Sequence, residues 1–316
     1  MLIFALMSIS AQISHAPLRL IGRMPLKAHY ANARFLAWLI GDVIRYRRDV
    51  VSFNLARCFP EKTTRELKEL RKEAYRHFAD IVGESFWFGA CRDPRRLHDA
   101  RIVEIANPEV ISALFDSSPS VAVLYSHCGN WEIMGGWFAY APYGELGYKE
   151  DAITVVYKSL TSGIWDHIMK DNRLAPLLRT AFHGYVDSTK VLRHALEHKN
   201  EKRVYIFPTD QFPYKNATKH DIGDFLGQST LAMTGGAALA RKLGMAIEYM
   251  SFECVGRGKY RARFETICTD PSTLTPEEIM SRFYRLLEKD IKAQPWNYLW
   301  THKRWKNLQY YQKKGK

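Results

Sequence analysis

A chain of 316 residues with 47% hydrophobic and 25% charged positions can bury one large core, which excludes intrinsic disorder. Its five cysteines (Cys58, Cys91, Cys128, Cys254, Cys268) form no C-x-x-C pair, which argues against a disulfide framework or a zinc module and for a reducing compartment. The net charge of +13 gathers at the ends: residues 1–60 and 301–316 carry +6 each, beside apolar and aromatic residues, a mixture that suits an anionic lipid surface better than a nucleic-acid recognition face.

The apolar stretch over residues 1–22 has no basic flank before it and is interrupted by Gln12, His15 and Pro17, so neither a cleaved leader nor a spanning helix of about 18 apolar residues is expected. A second apolar segment, Phe35 to Ile44, carries Trp38 and runs into the basic tetrapeptide RYRR (45–48). Both segments predict helices lying in or dipping into a membrane interface, with ordinary core helices as the competing reading. The expected organisation is a membrane-associating helical segment, 1–48, ahead of one α/β domain, 49–316.

Thr63 followed by Glu66 is a capping box, and Leu67, Leu70, Ala74, Phe78, Ile81 and Val82 then recur at helical spacing toward Ala90. VAVLY (121–125), ITVVY (153–157), VYIF (204–207) and the run from Met245 to Phe252 predict short buried strands. Helical stretches separate them, at roughly 131–139, 162–178, 188–198 and 230–243. Strands alternating with helices predict an α/β fold with a mainly parallel central sheet flanked by helices. RARFETI (261–267) is expected to join by a hairpin through Gly256 and Gly258, and Thr275-Pro276-Glu277-Glu278 opens a last amphipathic helix with Ile279, Met280, Phe283, Leu286, Leu287 and Ile291.

The segment SHCGNWE (126–132) directly follows VAVLY, and parallel α/β sheets bind ligands beyond the carboxyl ends of their strands. His127 is placed in the strand-to-helix turn, Gly129 allows a tight backbone path beside Asn130, and Glu132 falls in the first turn of the next helix. A neutral imidazole held by a carboxylate is a general base suited to removing a hydroxyl proton, with Glu132 in the orienting role. No G-x-S-x-G nucleophile elbow occurs, so the attacking hydroxyl is assigned to the substrate; Cys128 as nucleophile is the weaker alternative.

HCGNWE resembles the H-x4-D/E block of the glycerolipid acyltransferase superfamily, in the wording of its bacterial lipid A lauroyl/myristoyl transferase branch. VIRYRRDVVSFNLARCFPEK (43–62), VVYKSL (155–160), FPTDQ (207–211) and YLWTHKRWK (298–306) are similar to further blocks of that branch and follow in its order, so the resemblance covers roughly 40–306. It implies His127 as base, Glu132 as its acidic partner, Lys158 as a cation for an oxyanion or an acceptor phosphate, and Asp210 and Gln211 in acceptor recognition, although the third acidic position of that block is Phe212 here. His302 and Arg304 are candidates to meet lipid phosphate among the rings of Tyr298, Trp300 and Trp305. The implied reaction needs no metal or organic cofactor, takes its acyl chain from acyl carrier protein, and delivers it to a lipid A precursor at the cytoplasmic face of the bacterial inner membrane. Another bacterial membrane lipid as acceptor, or a non-catalytic membrane-associated scaffold, are the alternatives.

Overall fold

The computed structural model describes residues 20–91, 93–141, 146–158, 163–177, 184–214 and 217–306. In chain order, α1 (Leu26–Trp38) runs through a π-turn, Leu39–Val43, to α2 (Arg48–Cys58) and α3 (Thr64–Gly89). Then follow α4 (Pro94–Ala100), β1 (Val103–Ile105), α5 (Pro108–Ser117), β2 (Val121–Tyr125) and a 3-10 turn, Trp131–Gly136, that leads into α6 (Trp137–Tyr140). The central part continues with β3 (Ile153–Tyr157), α7 (Gly163–Arg173), β4 (Tyr185–Asp187), α8 (Val191–Glu197) and β5 (Val204–Pro208). Last come β6 (Lys219–Phe225), β7 (Gln228–Met233), α9 (Gly235–Leu243), β8 (Ala246–Gly256), β9 (Lys259–Cys268) and α10 (Pro276–Ala293).

Seven strands form one sheet in the order β1-β9-β8-β2-β5-β3-β4, parallel throughout except for the β8/β9 hairpin. The mainly parallel α/β expectation holds, and RARFETI sits in β9 as the hairpin's return strand. VAVLY lies at the centre, where both faces are covered, and four of its five residues are buried. That explains a continuous apolar run in place of an alternating one. Ala122, Leu124, Ile247 and Tyr249 pack against α9 and α10, while Val121, Val123 and Met250 pack on the other face with Ile111 of α5 and Trp137 of α6. Both expected capping boxes are present, at Thr63/Glu66 and Thr275/Glu278, each such cap contributing about 1 kcal/mol.

Two expectations are corrected. The helix expected at 230–243 begins only at Gly235, because residues 228–233 are β7, a strand of alternating burial paired antiparallel with β6. The stretch 131–139 is first a 3-10 turn and only then α6. Along α3, Leu67, Leu70 and Ala74 pack on the core as their spacing predicts, while the second half of the helix is buried on most sides. The cause is α1, whose Ala33 and Ala37 close on Ala79 and cover a face that would otherwise meet water. The outer side of this N-terminal region stays open, with Phe35 at 61% and Ile44 at 61% exposure beside Trp38 and Phe53. No helix among the described residues is long and apolar enough to cross a membrane. The apolar residues before Leu20 and the basic Lys313, Lys314 and Lys316 lie outside the described residues.

Candidate active site

Strands β2 and β5 are parallel neighbours in register, with Tyr125 opposite Pro208. His127 and Asp210 each lie two residues past that pair, so the sheet brings together side chains 83 positions apart in sequence. Asp210 Oδ1 accepts from His127 Nδ1 at 2.7 Å, and its Oδ2 accepts from the His127 backbone N–H at 3.2 Å. Burial pushes the Asp210 carboxyl up, but the charge and the two hydrogen bonds of His127, with His302 beyond, outweigh it and hold the carboxyl below its ordinary value. With Nδ1 donating to Asp210, Nε2 carries the lone pair, and the Gln211 amide donates to it at 3.1 Å.

The carboxylate expected on His127 was that of Glu132, and here the structure corrects the sequence. Glu132 is held instead by Arg173 at the end of α7, whose Nε and Nη2 donate to its two oxygens at 2.7 Å each, while the Trp131 indole N–H donates at 2.9 Å. This planar two-point fork suits a guanidinium and not an imidazole. Glu132 still opens the 3-10 turn, as expected of a residue at that corner, but its side chain leaves along that turn while His127 turns back toward β5. Arg173 is brought close by Gly135, where a Cβ would stand 1.8 Å from the Arg173 carbonyl oxygen, and by Asn172, which donates to the Ser85 carbonyl of α3 at 2.9 Å. Burial works against the charge of Arg173, and Glu132 overcomes it, raising the guanidinium pKa.

His127, Trp131, Glu132, Arg173 and Gln211 line one end of a cavity of about 340 Å³. Its wall then follows the sheet past Val123, Val155 and Ile206 to Ile153 and Val204, with Phe138 and other rings opposite. From Pro208 back to Val204 is four residues, about 13 Å of strand. The charged end and the apolar length are one continuous space. Lys158 lines it too, its ammonium 3.4 Å from the centre of the Tyr214 ring.

A family model of bacterial lipid A biosynthesis acyltransferases matches residues 6–307. The chain belongs to that family. It is an acyltransferase of lipid A biosynthesis. Comparison with individual curated proteins gave no match.

The remaining candidate residues stand around and behind the His127 cavity. Gly129, at φ +63°, has no room for a side chain, since a Cβ would meet the Phe252 ring at 2.3 Å, and its N–H is fixed by the Asn297 side chain. Asn130 is buried and donates to Glu84, so neither residue is on the cavity wall. His302 is half-buried and kept neutral, its pKa lowered to about 4 by burial first and only partly restored by Asp210. Arg304, expected at a lipid surface, is 1% exposed and donates to the Leu231 carbonyl and the Tyr284 hydroxyl. Cys128 is buried and off the cavity wall, and burial pushes its thiol up, so it is poorly placed to act as a nucleophile. Sequence reasoning missed Arg173; its only signal was a cation inside an expected helix, which ends at that residue in the structure. It named Asp210 but in another role, because the register that joins β5 to β2 is a property of the sheet.

Proposed function

We propose that this acyltransferase moves a fatty acyl chain from the thioester of an acyl carrier protein to a hydroxyl of a lipid A precursor, with His127 as general base and Asp210 as the carboxylate that orients it. The observation that carries the reading is the His127–Asp210 pair at the charged end of a long apolar cavity. The acyl chain would lie along β2, β5 and β3, leaving the thioester carbonyl beside His127. Nε2 then accepts the hydroxyl proton as the oxygen attacks, displacing Gln211 from the nitrogen. Asp210 stabilises the imidazolium, as the acid of a catalytic triad does. Collapse of the tetrahedral intermediate forms the ester, breaks the C–S bond and returns the proton to the leaving thiolate. Arg173, braced by Glu132, and Lys158 supply positive charge at the rim for the oxyanion or for a phosphate of the acceptor.

The exposed Phe35, Trp38, Ile44 and Phe53, with Arg34 and Arg45 among them, support docking of this face on the cytoplasmic leaflet of the inner membrane, where the acceptor resides. The test is acyl transfer from acyl carrier protein to a lipid A precursor by His127→Ala and Asp210→Asn. Each should lose at least ~10²-fold in rate with folding unchanged. Retained transfer in His127→Ala would remove the mechanism.

A further inference from the structure

Glu84 sits in the second half of α3 with no exposed surface. Three donors from three other parts of the chain converge on its carboxylate. The Tyr30 hydroxyl of α1 donates to Oε1 at 2.9 Å, and the Asn130 amide and the Tyr260 hydroxyl of β9 donate to Oε2 at 2.8 and 2.7 Å. Burial, with a smaller push from Asp80, raises this carboxyl to about 7 against the downward pull of the three hydrogen bonds. A carboxylate kept in such a place costs stability, and its partner Asn130 is the chain neighbour of Trp131 on the cavity wall.

Asn130 uses both ends of its amide. Its Nδ2 is committed to Glu84, and its Oδ1 accepts from the Glu132 backbone N–H at 3.1 Å, capping the 3-10 turn that carries Glu132 to Arg173. Asn130 is itself fully buried, so water cannot stand in for either partner. The loop between β2 and that turn is therefore pinned at Gly129 by Asn297 and at Asn130 by Glu84. We propose that Glu84 is a positioning residue for acyl transfer, fixing through Asn130 the turn that presents Glu132 and Arg173 to the cavity. The inference rests on acyl transfer at the His127 site.

A carboxylate suits this place because it accepts from all three donors without opposing any of them. A glutamine can reproduce much of this, with its oxygen toward Asn130 and Tyr260 and its amide N–H donating to the Tyr30 oxygen. A methionine, similar in length, cannot. In the acyl-transfer assay, run well below the melting temperature of each variant, Glu84→Met should lower kcat by about tenfold or more with KM within about threefold, since a shift of about 1 Å in a reacting group is enough for such losses. Glu84→Gln should restore most of kcat. Asn130→Ala should reproduce the loss, and the double variant Glu84→Met/Asn130→Ala should be no worse than either alone. Tyr30→Phe, which removes the donor to the other carboxylate oxygen and leaves the Asn130 and Tyr260 bonds to Oε2 in place, should lower the melting temperature and leave kcat within about twofold.

Losses that add in the double variant, or a Glu84→Met enzyme of lower melting temperature but normal kcat, overturn the proposal. Should Glu84→Met fail to fold, normal kcat in Asn130→Ala overturns it alone. His127→Ala, measured alongside, separates the two readings. Full transfer there refutes the site, whereas loss in His127→Ala with normal kcat in the Glu84 and Asn130 variants refutes only the positioning role.

Discussion

Residues 35–53 and residues 298–306 are alike in composition, each mixing aromatic rings with Arg or Lys, and opposite in surroundings. Phe35, Trp38, Tyr46 and Phe53 are exposed, whereas Tyr298, Trp300 and Arg304 are buried. The second segment is a strap beneath the loop that carries His127: Leu299 N–H donates to the His127 carbonyl at 3.2 Å, and the backbones of Cys128 and Tyr298 pair antiparallel. The first region even helps to hold it, as Arg47 donates to the Thr301 carbonyl and Asn54, just past that region, to the Trp300 and His302 carbonyls. Aromatic–cationic mixing therefore identifies residues able to live at an interface without saying whether the interface is with lipid or with the protein's own interior.

The sharpest way to break that contrast is Trp300→Ala. The indole stands edge-on to Phe59 at 5.9 Å and to Tyr298 at 5.1 Å, and its N–H donates to the Pro295 carbonyl. Truncation of so buried a ring should cost about 3–5 kcal/mol in chemical denaturation while leaving vesicle binding of the folded protein unchanged. A loss below about 1 kcal/mol would show that the strap is not core. His302 gives a second, smaller handle. Its native pKa of about 4 lies below the unfolded value of 6.5, so the unfolded chain binds the proton first, and the stability owed to the neutral ring is present above pH 6.5 and lost as pH falls toward 4. Relative to the parent, His302→Gln should gain on the order of 1–2 kcal/mol between pH 7 and pH 5. Glu84 and Glu248, both raised to about 7, act with the opposite sign but equally in the two proteins, so they cancel in the comparison.

What could be read in advance follows the range of the interactions. Strands β2, β3, β5 and β8, the β8/β9 hairpin and both capping boxes rest on patterns within a dozen residues, and all were legible. β1 and β4, three residues each at the two edges of the sheet, are too short to show a period. β7 reads as helix because Leu231 and Ala232 continue the apolar spacing of α9, and only pairing with β6 across the turn decides otherwise. At the cavity, the corner past β2 that holds His127 was legible from the strand before it. Its carboxylate partner was not, since the choice between Glu132 and Asp210 is made by strand register and by Arg173 arriving from α7.

The exposed region is tested by changes that would be silent in the strap. Phe35 and Trp38 touch each other, ring centres 5.7 Å apart, and face away from α3, so Phe35→Ser with Trp38→Ser should alter stability by no more than about 0.5 kcal/mol per site. If this face meets lipid, the same pair should weaken binding to anionic vesicles by tenfold or more, since burying each ring is worth about 1.5–3 kcal/mol. Arg34→Ala and Arg45→Ala should each remove about 1 kcal/mol, close to fivefold in partitioning, and that increment should shrink as salt shortens the screening length. Lys303→Ala, equally exposed but on the strap, is the matched control and should change vesicle binding little. Equal losses from Arg45 and Lys303 would mean that net charge alone draws the protein to the surface. A loss confined to Arg34 and Arg45 would assign the contact to the N-terminal face and fix which way the mouth of the cavity looks.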